Sequence, residues 1–263
     1  MNLNEKYAKK RFGQNFLNDK NILEKITNVI DISNKNIIEI GPGKGALTSL
    51  LIKKAKKVIA FEIDKNLFDY LNDKFKSQTN LEIINQDFLK VNLSKYENFN
   101  IVANIPYNIS TDILFKIFDN YQNFENIVLL VQSEFAKRVC AKVNDNDYSK
   151  LAPSTKLFYD ATYCFDVNAS SFWPKPKVTS AVIHLKRTNK IYDIDKREIL
   201  KFIKLCFSMR RKTLWNNIKI LDDLNKEQFE QMCNDLKINI NSRPEEIDLD
   251  KFIEIYKWIY YNK

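Results

Sequence analysis

Residues 39–48 read EIGPGKGALT, and this stretch decides the fold class of the chain. The protein has only four glycines in 263 residues, and Gly41, Gly43 and Gly45 stand at alternate positions here. An apolar run predicts a buried strand before the glycines, and an apolar-rich segment predicts a helix after them. This order brings backbone N–H groups to the edge of a parallel sheet, where glycine lets a ligand approach closely. The stretch therefore predicts an α/β fold with a site for a nucleotide-like ligand.

Carboxylates follow two further predicted strands, at 57–61 and 81–84. Glu62 stands about 20 positions after the glycine loop, where an acidic side chain accepts hydrogen bonds from ribose hydroxyls. Asp87 follows the next strand, where a carboxylate can accept a hydrogen bond from the exocyclic amine of an adenine. A surface carboxylate at a strand end is the alternative, and the position of Glu62 favours the ligand.

A fourth strand, predicted at 100–103, ends in the sequence Asn-Ile-Pro-Tyr at 104–107. Asn104 carries an amide oxygen, Pro106 restricts the backbone of Ile105 to an extended form, and Tyr107 offers a flat aromatic face. Together they suit a planar base that bears an amine. An ordinary turn after a strand is the alternative.

Later predicted strands at 126–131, 161–167 and 178–186 complete the α/β part. The last two are joined by a crossover in which Phe172 and Trp173 precede Lys175 and Lys177. Aromatic rings among lysines suit stacking on bases and contact with phosphates, while core packing is the competing interpretation. We expect one ring in the core and one exposed.

The net charge of +9 is segregated along the chain, which indicates a polyanionic partner. Residues 186–219 hold eleven Lys/Arg against three Asp/Glu, whereas residues 220–263 hold six against ten. A linker near 186–190 and helical spacing beyond it predict two domains, a ligand-binding domain at 1–187 and a helical domain at 188–263 whose basic start favours binding of a nucleic acid. The side chains we expect to contact the phosphates of this nucleic acid are Lys9, Lys10, Arg11, Lys175, Lys177, Arg210, Arg211 and Lys212.

Composition argues against several other classes of protein. The four cysteines are far apart without a C-x-x-C pair, and the single histidine, His184, has no partner for metal ligation, so we expect no metal and reduced thiols. No segment approaches the roughly 18 apolar residues of a membrane span, and no signal-type apolar region opens the chain. We therefore expect a cytoplasmic protein without membrane partners, and a monomer.

Five motifs in the same order resemble the ribosomal RNA adenine dimethyltransferase family. They are GQNFL at 13–17, EIGPGxGxLT at 39–48, NIPYNIS at 104–110, FxPxPKV at 172–178 and RRKTL at 210–214. The resemblance implies a Rossmann-like class I S-adenosylmethionine methyltransferase with a mixed seven-stranded sheet and a small all-α C-terminal domain. It also implies N6,N6-dimethylation of two neighbouring adenosines in the 3′-terminal hairpin loop of small-subunit rRNA, as a step of ribosome biogenesis on the immature small subunit.

Carried over residue by residue, the resemblance also implies a site. The methyl donor would contact Gln14, Asn15, Leu17, Gly41, Gly43, Gly45, Glu62, Asp87 and Asn104. The target adenine would meet the catalytic set Asn104, Ile105, Pro106 and Tyr107, with Phe172 as a second stacking face. Lys44 departs from the family pattern, where a smaller or apolar residue is more usual.

Three other functions stay open on the sequence alone. A large-subunit rRNA methyltransferase of the macrolide-resistance type would share the core, and the RRKTL segment favours the small-subunit enzyme. A non-catalytic ribosome-binding factor is the second, which the intact NIPY sequence disfavours. The third is an NAD-dependent dehydrogenase, against which the glycines are spaced G-x-G-x-G instead of G-x-G-x-x-G.

Overall fold

A computed structural model describes residues 14–209, 211–222 and 224–261, and its chain contacts divide into two units. The first ends at Ala136 and resumes over Ala161–Arg187, and the second takes in Lys137–Asp160 with the chain from Thr188 onward. The division after residue 187 agrees with the predicted boundary. Residues 137–160 depart from it, because the sequence pattern places them in the first domain.

The first unit is built on a mixed seven-stranded sheet, which confirms the predicted fold class. The strands of this unit are β1 (Phe16–Leu17), β2 (Asn36–Ile40), β3 (Lys57–Phe61), β4 (Leu81–Ile84), β5 (Phe99–Asn104), β6 (Phe124–Gln132), β7 (Tyr159–Val167), β8 (Phe172–Trp173) and β9 (Ser180–Arg187). Their order in the large sheet is β4-β3-β2-β5-β6-β9-β7. Strands β2 to β6 pair in parallel and β9 is antiparallel to β6.

The helices of the first unit lie before, between and after these parallel strands. They are α1 (Lys20–Thr27), α2 (Thr48–Lys54), α3 (Lys65–Lys74), α4 (Ser110–Asp119) and α5 (Ser133–Cys140), which runs across the division into the second unit. Within the sheet, β3 and β4 lie to one side of β2, and β5 and β6 lie to its other side. The order reverses between β2 and β5, and such a reversal opens a crevice at the carboxyl ends of the two strands.

A separate two-stranded ribbon joins the start of the described chain to the crossover near 172. Strands β1 and β8 pair antiparallel, with Phe16 opposite Trp173 and Leu17 opposite Phe172. Asn18 N–H extends the ribbon by donating to the Ser171 carbonyl at 2.9 Å. Sequence patterns did not predict this pairing, because two-residue strands carry too little periodicity to be recognised.

The second unit is helical, as predicted. Its helices are α6 (Leu151–Lys156), α7 (Lys196–Cys206), α8 (Leu214–Ile218), α9 (Lys226–Asp235) and α10 (Leu249–Tyr261). Aromatic pairs hold them together, including Phe202 with Tyr256 and Trp215 with Phe229, whose ring centroids lie 5.6 and 5.0 Å apart. The buried Tyr148 hydroxyl donates to the Ile247 carbonyl at 2.9 Å, which ties the 137–160 segment to this unit.

The helices of the described chain are too short or too polar to cross a membrane.

Candidate active site

A cavity of about 800 Å³, part of it open to solvent, lies at the carboxyl ends of β2, β3 and β5. Its wall consists of Gln14, Asn15, Phe16, Leu17, Asn18, Leu23, Glu39, Gly41, Pro42, Gly43, Lys44, Ala46, Leu47, Glu62, Ile63 and the four residues 104–107. The crevice between β2 and β5 is therefore the place where three of the sequence motifs meet, those at 13–17, 39–48 and 104–110.

The glycine loop follows β2 and turns through left-handed backbone at all three glycines. Gly43 has φ +59°, and a Cβ there would lie 2.9 Å from Cδ1 of Phe16. Gly45 has φ +74°, and a Cβ there would lie 2.5 Å from Cε2 of Phe75. Larger residues are thus excluded both by backbone conformation and by the rings packed on the loop.

Glu62 is a buried carboxylate that braces the loop from the end of β3. Its side chain is 3 % exposed, and its two oxygens accept N–H bonds from Gly43 at 3.2 Å and from Asp64 at 2.8 Å. Burial raises the pKa of Glu62 to about 7, although both backbone hydrogen bonds favour the ionised form and oppose that rise. The carboxylate is therefore held in one orientation, with its remaining lone pairs available to a ligand.

Glu39 is a second buried carboxylate in the cavity wall, and sequence reasoning did not single it out. It is 2 % exposed, and the Thr48 hydroxyl donates to its Oε2 at 2.6 Å. Burial raises its pKa to about 8, while the Thr48 hydrogen bond acts in the opposite direction. An acidic residue inside an otherwise apolar strand, directly before the glycine loop, is the pattern that would have identified it.

Lys44, the departure from the family pattern, connects the glycine loop to the β1–β8 ribbon. Its amine lies 4.9 Å from the ring centroid of Phe16 and 5.8 Å from that of Trp173. Such cation–π contacts are each worth roughly 0.5–1 kcal/mol at partly exposed sites. The Lys44 carbonyl in turn accepts a hydrogen bond from the Lys74 amine at 2.7 Å. Lys44 therefore helps to hold the ribbon against the loop.

Asn104 ends β5 and is oriented by a segment far away in the sequence. Its Nδ2 donates to the Asn15 carbonyl at 3.1 Å, which uses the nitrogen side of the amide. The Ile105 backbone is held by its own N–H, which donates to the Leu130 carbonyl at 3.3 Å. Asn104 and Ile105 both line the cavity.

Tyr107 begins a short 3₁₀ turn, Tyr107–Ile109, directly after Pro106. Its hydroxyl forms a hydrogen bond of 2.5 Å with Oγ of Ser180, the first residue of β9. Burial raises the pKa of Tyr107, so the phenol stays neutral at physiological pH. Ser180 is a contact that sequence reasoning missed, because nothing in the residues near 107 indicates which distant strand the ring approaches.

Most of the predicted ligand residues line this one cavity, and two do not. Gly45 is turned toward α3, where its closest neighbours are Phe75 and Leu71. Asp87 caps the turn Phe88–Lys90, with its Oδ1 accepting from Leu89 N–H at 3.0 Å. In this structure Gly45 lets the loop pack closely on Phe75 and Leu71 of the neighbouring segment, outside the cavity wall. Asp87 also lies outside the cavity wall.

Phe172, expected as a second stacking face, is buried in this structure. Its side chain is only 4 % exposed and belongs to the hydrophobic core, while the neighbouring Trp173 is half-buried. Phe172 does not line the cavity, because the pairing of β8 with β1 turns its ring into the sheet core. It is therefore not an open stacking face for a base in this structure.

The basic residues expected to contact RNA fall into separate places. In the first unit Lys175 and Lys177 are exposed, and in the second unit Arg211 and Lys212 are exposed. Arg211 has φ +65°, a backbone form that costs a residue with a Cβ roughly 1–2 kcal/mol. Predictions for Lys9, Lys10, Arg11 and Arg210 lie outside the described residues.

Comparison with known proteins adds independent information to this geometry. The model of the family described as ribosomal RNA adenine dimethylase matches residues 5–260. A relative from Mycoplasmopsis pulmonis, named ribosomal RNA small subunit methyltransferase A, is 54 % identical over 213 residues, covering 81 % of this chain and 84 % of the relative.

Two solved structures resemble this chain along most of its length. A dimethyladenosine transferase from Plasmodium falciparum is 30 % identical, with a TM-score of 0.77 over 91 % of this chain and 95 % of the other. The 23S rRNA methyltransferase ErmE has a TM-score of 0.72 over 93 % of this chain and 99 % of its own, at 24 % identity. The second likeness concerns the fold alone.

Proposed function

Because this chain belongs to the ribosomal RNA adenine dimethylase family, we propose that it dimethylates N6 of two neighbouring adenosines in the 3′-terminal hairpin loop of small-subunit rRNA. The observation that carries the proposal is the pairing of two features in one cavity: the glycine loop with Glu62, and the sequence Asn-Ile-Pro-Tyr at 104–107. The relative named as a small-subunit methyltransferase supports the choice of RNA.

S-adenosylmethionine is the cofactor of this enzyme, and the residues of the cavity fit it. Gly41 has φ +64°, and a Cβ there would meet nothing closer than Pro106 Cδ at 3.9 Å, so the loop leaves open space toward the cavity. Glu62 would accept hydrogen bonds from the ribose hydroxyls, and Leu17 and Ile63 supply apolar wall for the adenine ring. When bound, the cofactor supplies an electrophilic methyl group carried on a positively charged sulfur.

Asn104 and Ile105 then act on the target base. The N6 lone pair of adenine is delocalised into the ring, so transfer requires a nitrogen that is more pyramidal. Asn104 Oδ1 and the Ile105 carbonyl would accept the N6–H bonds and stabilise the positive charge that develops on this nitrogen. The monomethylated amine still has one N–H, so a neutral amide serves the second round as well.

Tyr107 holds the base in place, and it does not act as a base catalyst. Enzymes that modify a nucleobase draw it out of its stack and hold it against flat side chains. The ring of Tyr107 provides that face, while its hydroxyl stays protonated because burial raises its pKa. The methylated N6 cation is strongly acidic, so its proton leaves to solvent without a dedicated base.

The exposed cations of both units would bind the rRNA backbone through phosphate contacts. We further propose that the enzyme works as a monomer in the cytoplasm on an immature small subunit. The charge segregation of residues 186–219 supports an RNA-binding role for the second unit.

The decisive experiment offers labelled S-adenosylmethionine and the protein to unmethylated small subunits and, in parallel, to unmethylated large subunits, and then maps the modified adenines. We expect label on two neighbouring adenosines of the small subunit. Label on the large subunit would favour the macrolide-resistance type of enzyme, and binding without label would favour a non-catalytic factor. Either result would overturn the proposal.

A further inference from the structure

Ser180 is a buried hydroxyl beside the site, and neither the motifs nor the proposed chemistry assign it a role. It opens β9 and lies opposite Gln132 of β6 in the antiparallel register, with its side chain fully buried. Its Oγ is 2.5 Å from the Tyr107 hydroxyl, a short hydrogen bond even for two oxygen atoms. A serine on a central pair of strands is a rigid anchor, because both its backbone and its surroundings are packed.

Tyr107, by contrast, lies on a turn with few local constraints. It is half-buried, and it starts the 3₁₀ turn that links β5 to α4. Pro106 restricts the backbone in front of it but leaves the side-chain torsions of Tyr107 free. The direction of the ring axis, from Cβ to the hydroxyl, therefore depends on what holds the hydroxyl at its far end.

We propose that Ser180 is the positioning residue that sets the direction of the Tyr107 ring axis for the adenine undergoing methylation. The inference rests on the proposed function, in which the Tyr107 ring supports the target base. The hydrogen bond fixes the hydroxyl end of the ring and the backbone fixes the other end, so the ring occupies one position before the base arrives. Transfer requires aligned reacting atoms, and a tilted base loses rate without losing the phosphate contacts that hold the RNA.

The test is a double-mutant cycle of Ser180→Ala and Tyr107→Phe, measured as steady-state methylation of the rRNA. We expect kcat to fall by about 10-fold in each single variant, the upper range for one net hydrogen bond, with KM for RNA changed less than about 2-fold. The double variant should be no slower than either single variant, because both remove the same hydrogen bond. Additive losses, or an unchanged kcat in Tyr107→Phe, would overturn the inference.

A matched control exists within the first unit. Ser133 and Tyr163 form a second serine–tyrosine hydroxyl pair, 3.0 Å apart and outside the cavity wall. Ser133→Ala should leave kcat unchanged, and a loss equal to that of Ser180→Ala would assign the effect to general destabilisation. Urea unfolding of every variant shows whether it is folded under assay conditions, and Tyr107→Phe provides the readout if Ser180→Ala does not fold.

The cycle is measured on whichever ribosomal subunit the wild-type protein methylates. Methylation of the large subunit alone would reject the proposed rRNA target and still leave the Ser180 inference open to the same cycle. No methylation of either subunit would overturn both. Methylation of the small subunit together with non-additive losses for Ser180→Ala and Tyr107→Phe supports both the proposed function and the Ser180 inference.

Discussion

The two ends of the cavity hold their polar groups in different ways. At the cofactor end, Glu39, the glycine loop and Glu62 lie within 24 positions of one another in the chain, and each carboxylate is oriented by backbone N–H groups or a hydroxyl nearby. At the base end, Asn104 is oriented by Asn15, 89 positions away, and Tyr107 by Ser180, 73 positions away. The first end is organised by local chain geometry, and the second depends on tertiary contacts.

This contrast has a chemical counterpart. The cofactor end buries carboxylates and raises their pKa values, to about 7 for Glu62 and about 8 for Glu39. The base end uses only neutral groups, an amide, a carbonyl and a protonated phenol. We therefore expect cofactor binding to depend on pH, and the arrangement of the groups that hold the base to be independent of pH.

The largest expected effect is at the base end. Asn104→Ala removes the amide acceptor for N6–H, and loss of one such transition-state contact lowers kcat by roughly 100- to 1,000-fold. RNA affinity, measured by calorimetry, should change little, because phosphate contacts elsewhere hold the RNA. Asn123→Ala is the matched control, because Asn123 also donates from its amide to a carbonyl, that of Leu93, but outside the cavity. Substantial turnover in Asn104→Ala would remove this residue from the mechanism.

The second prediction concerns substitutions that disturb the backbone of the glycine loop at the cofactor end. Gly43→Ala and Gly41→Ala both force a Cβ into left-handed backbone, at a cost of roughly 1–2 kcal/mol in the free energy of unfolding. Gly43→Ala should lose more, because its Cβ would also lie 2.9 Å from Phe16, whereas the nearest atom to a Cβ on Gly41 is 3.9 Å away. Urea unfolding of both variants measures the difference. Equal losses in the free energy of unfolding would show that the Phe16 ring moves aside without an energetic cost.

The third prediction concerns the pH dependence of cofactor binding, which we expect at the cofactor end of the cavity and not at the base end. The free protein holds Glu62 with a pKa of about 7, and a ribose hydroxyl donates a stronger hydrogen bond to the ionised carboxylate than to the protonated acid. Cofactor affinity should therefore be constant above pH 7 and weaken below it, by at most about tenfold for each pH unit, since protonation competes with binding. Glu62→Gln should bind more weakly with a flat profile, while Glu39→Gln should keep the break near pH 7. Calorimetry between pH 5.5 and 8 distinguishes these outcomes.

The smallest effect leaves both ends intact. Changing Arg211 and Lys212 together to Ala should reduce the log–log dependence of RNA affinity on salt by up to about 0.7–0.9 for each lost phosphate contact. The rate at saturating RNA should not change. Lys226→Ala in combination with Lys201→Ala removes two cations already paired with Glu230 and Glu198, and serves as the control. An unchanged slope would make the Arg211–Lys212 loop an ordinary solvated surface.

Prediction from the sequence succeeded where the information is local. The strand expected at 57–61 has those bounds, Lys57–Phe61, because a buried parallel strand is a continuous apolar run that needs no partner to be recognised. The place of Glu62 in the cavity wall follows in the same way, from its position after that strand, and its contact with the ribose stays a prediction.

Prediction is least specific where a side chain has two chemically reasonable environments. The aromatic character of Phe172 suits a stacking face as well as a core, and in this structure Phe172 is buried opposite Leu17 in the two-stranded ribbon. Asp87 suits a ligand as well as a cap; its Oδ1 accepts from Leu89 N–H here, and its role toward a ligand stays a prediction. In both cases the competing contact comes from the folded backbone, which periodicity does not describe.

The sequence by itself determined the α/β sheet, the glycine loop and the family, because strand periodicity, glycine spacing and short motifs are properties of neighbouring residues. Only the tertiary structure decided which carbonyl orients the amide of Asn104, which hydroxyl holds Tyr107 and which ring enters the core. Each of those outcomes depends on a hydrogen bond or packing contact between segments distant along the chain, and such contacts exist only once the sheet has brought the segments together.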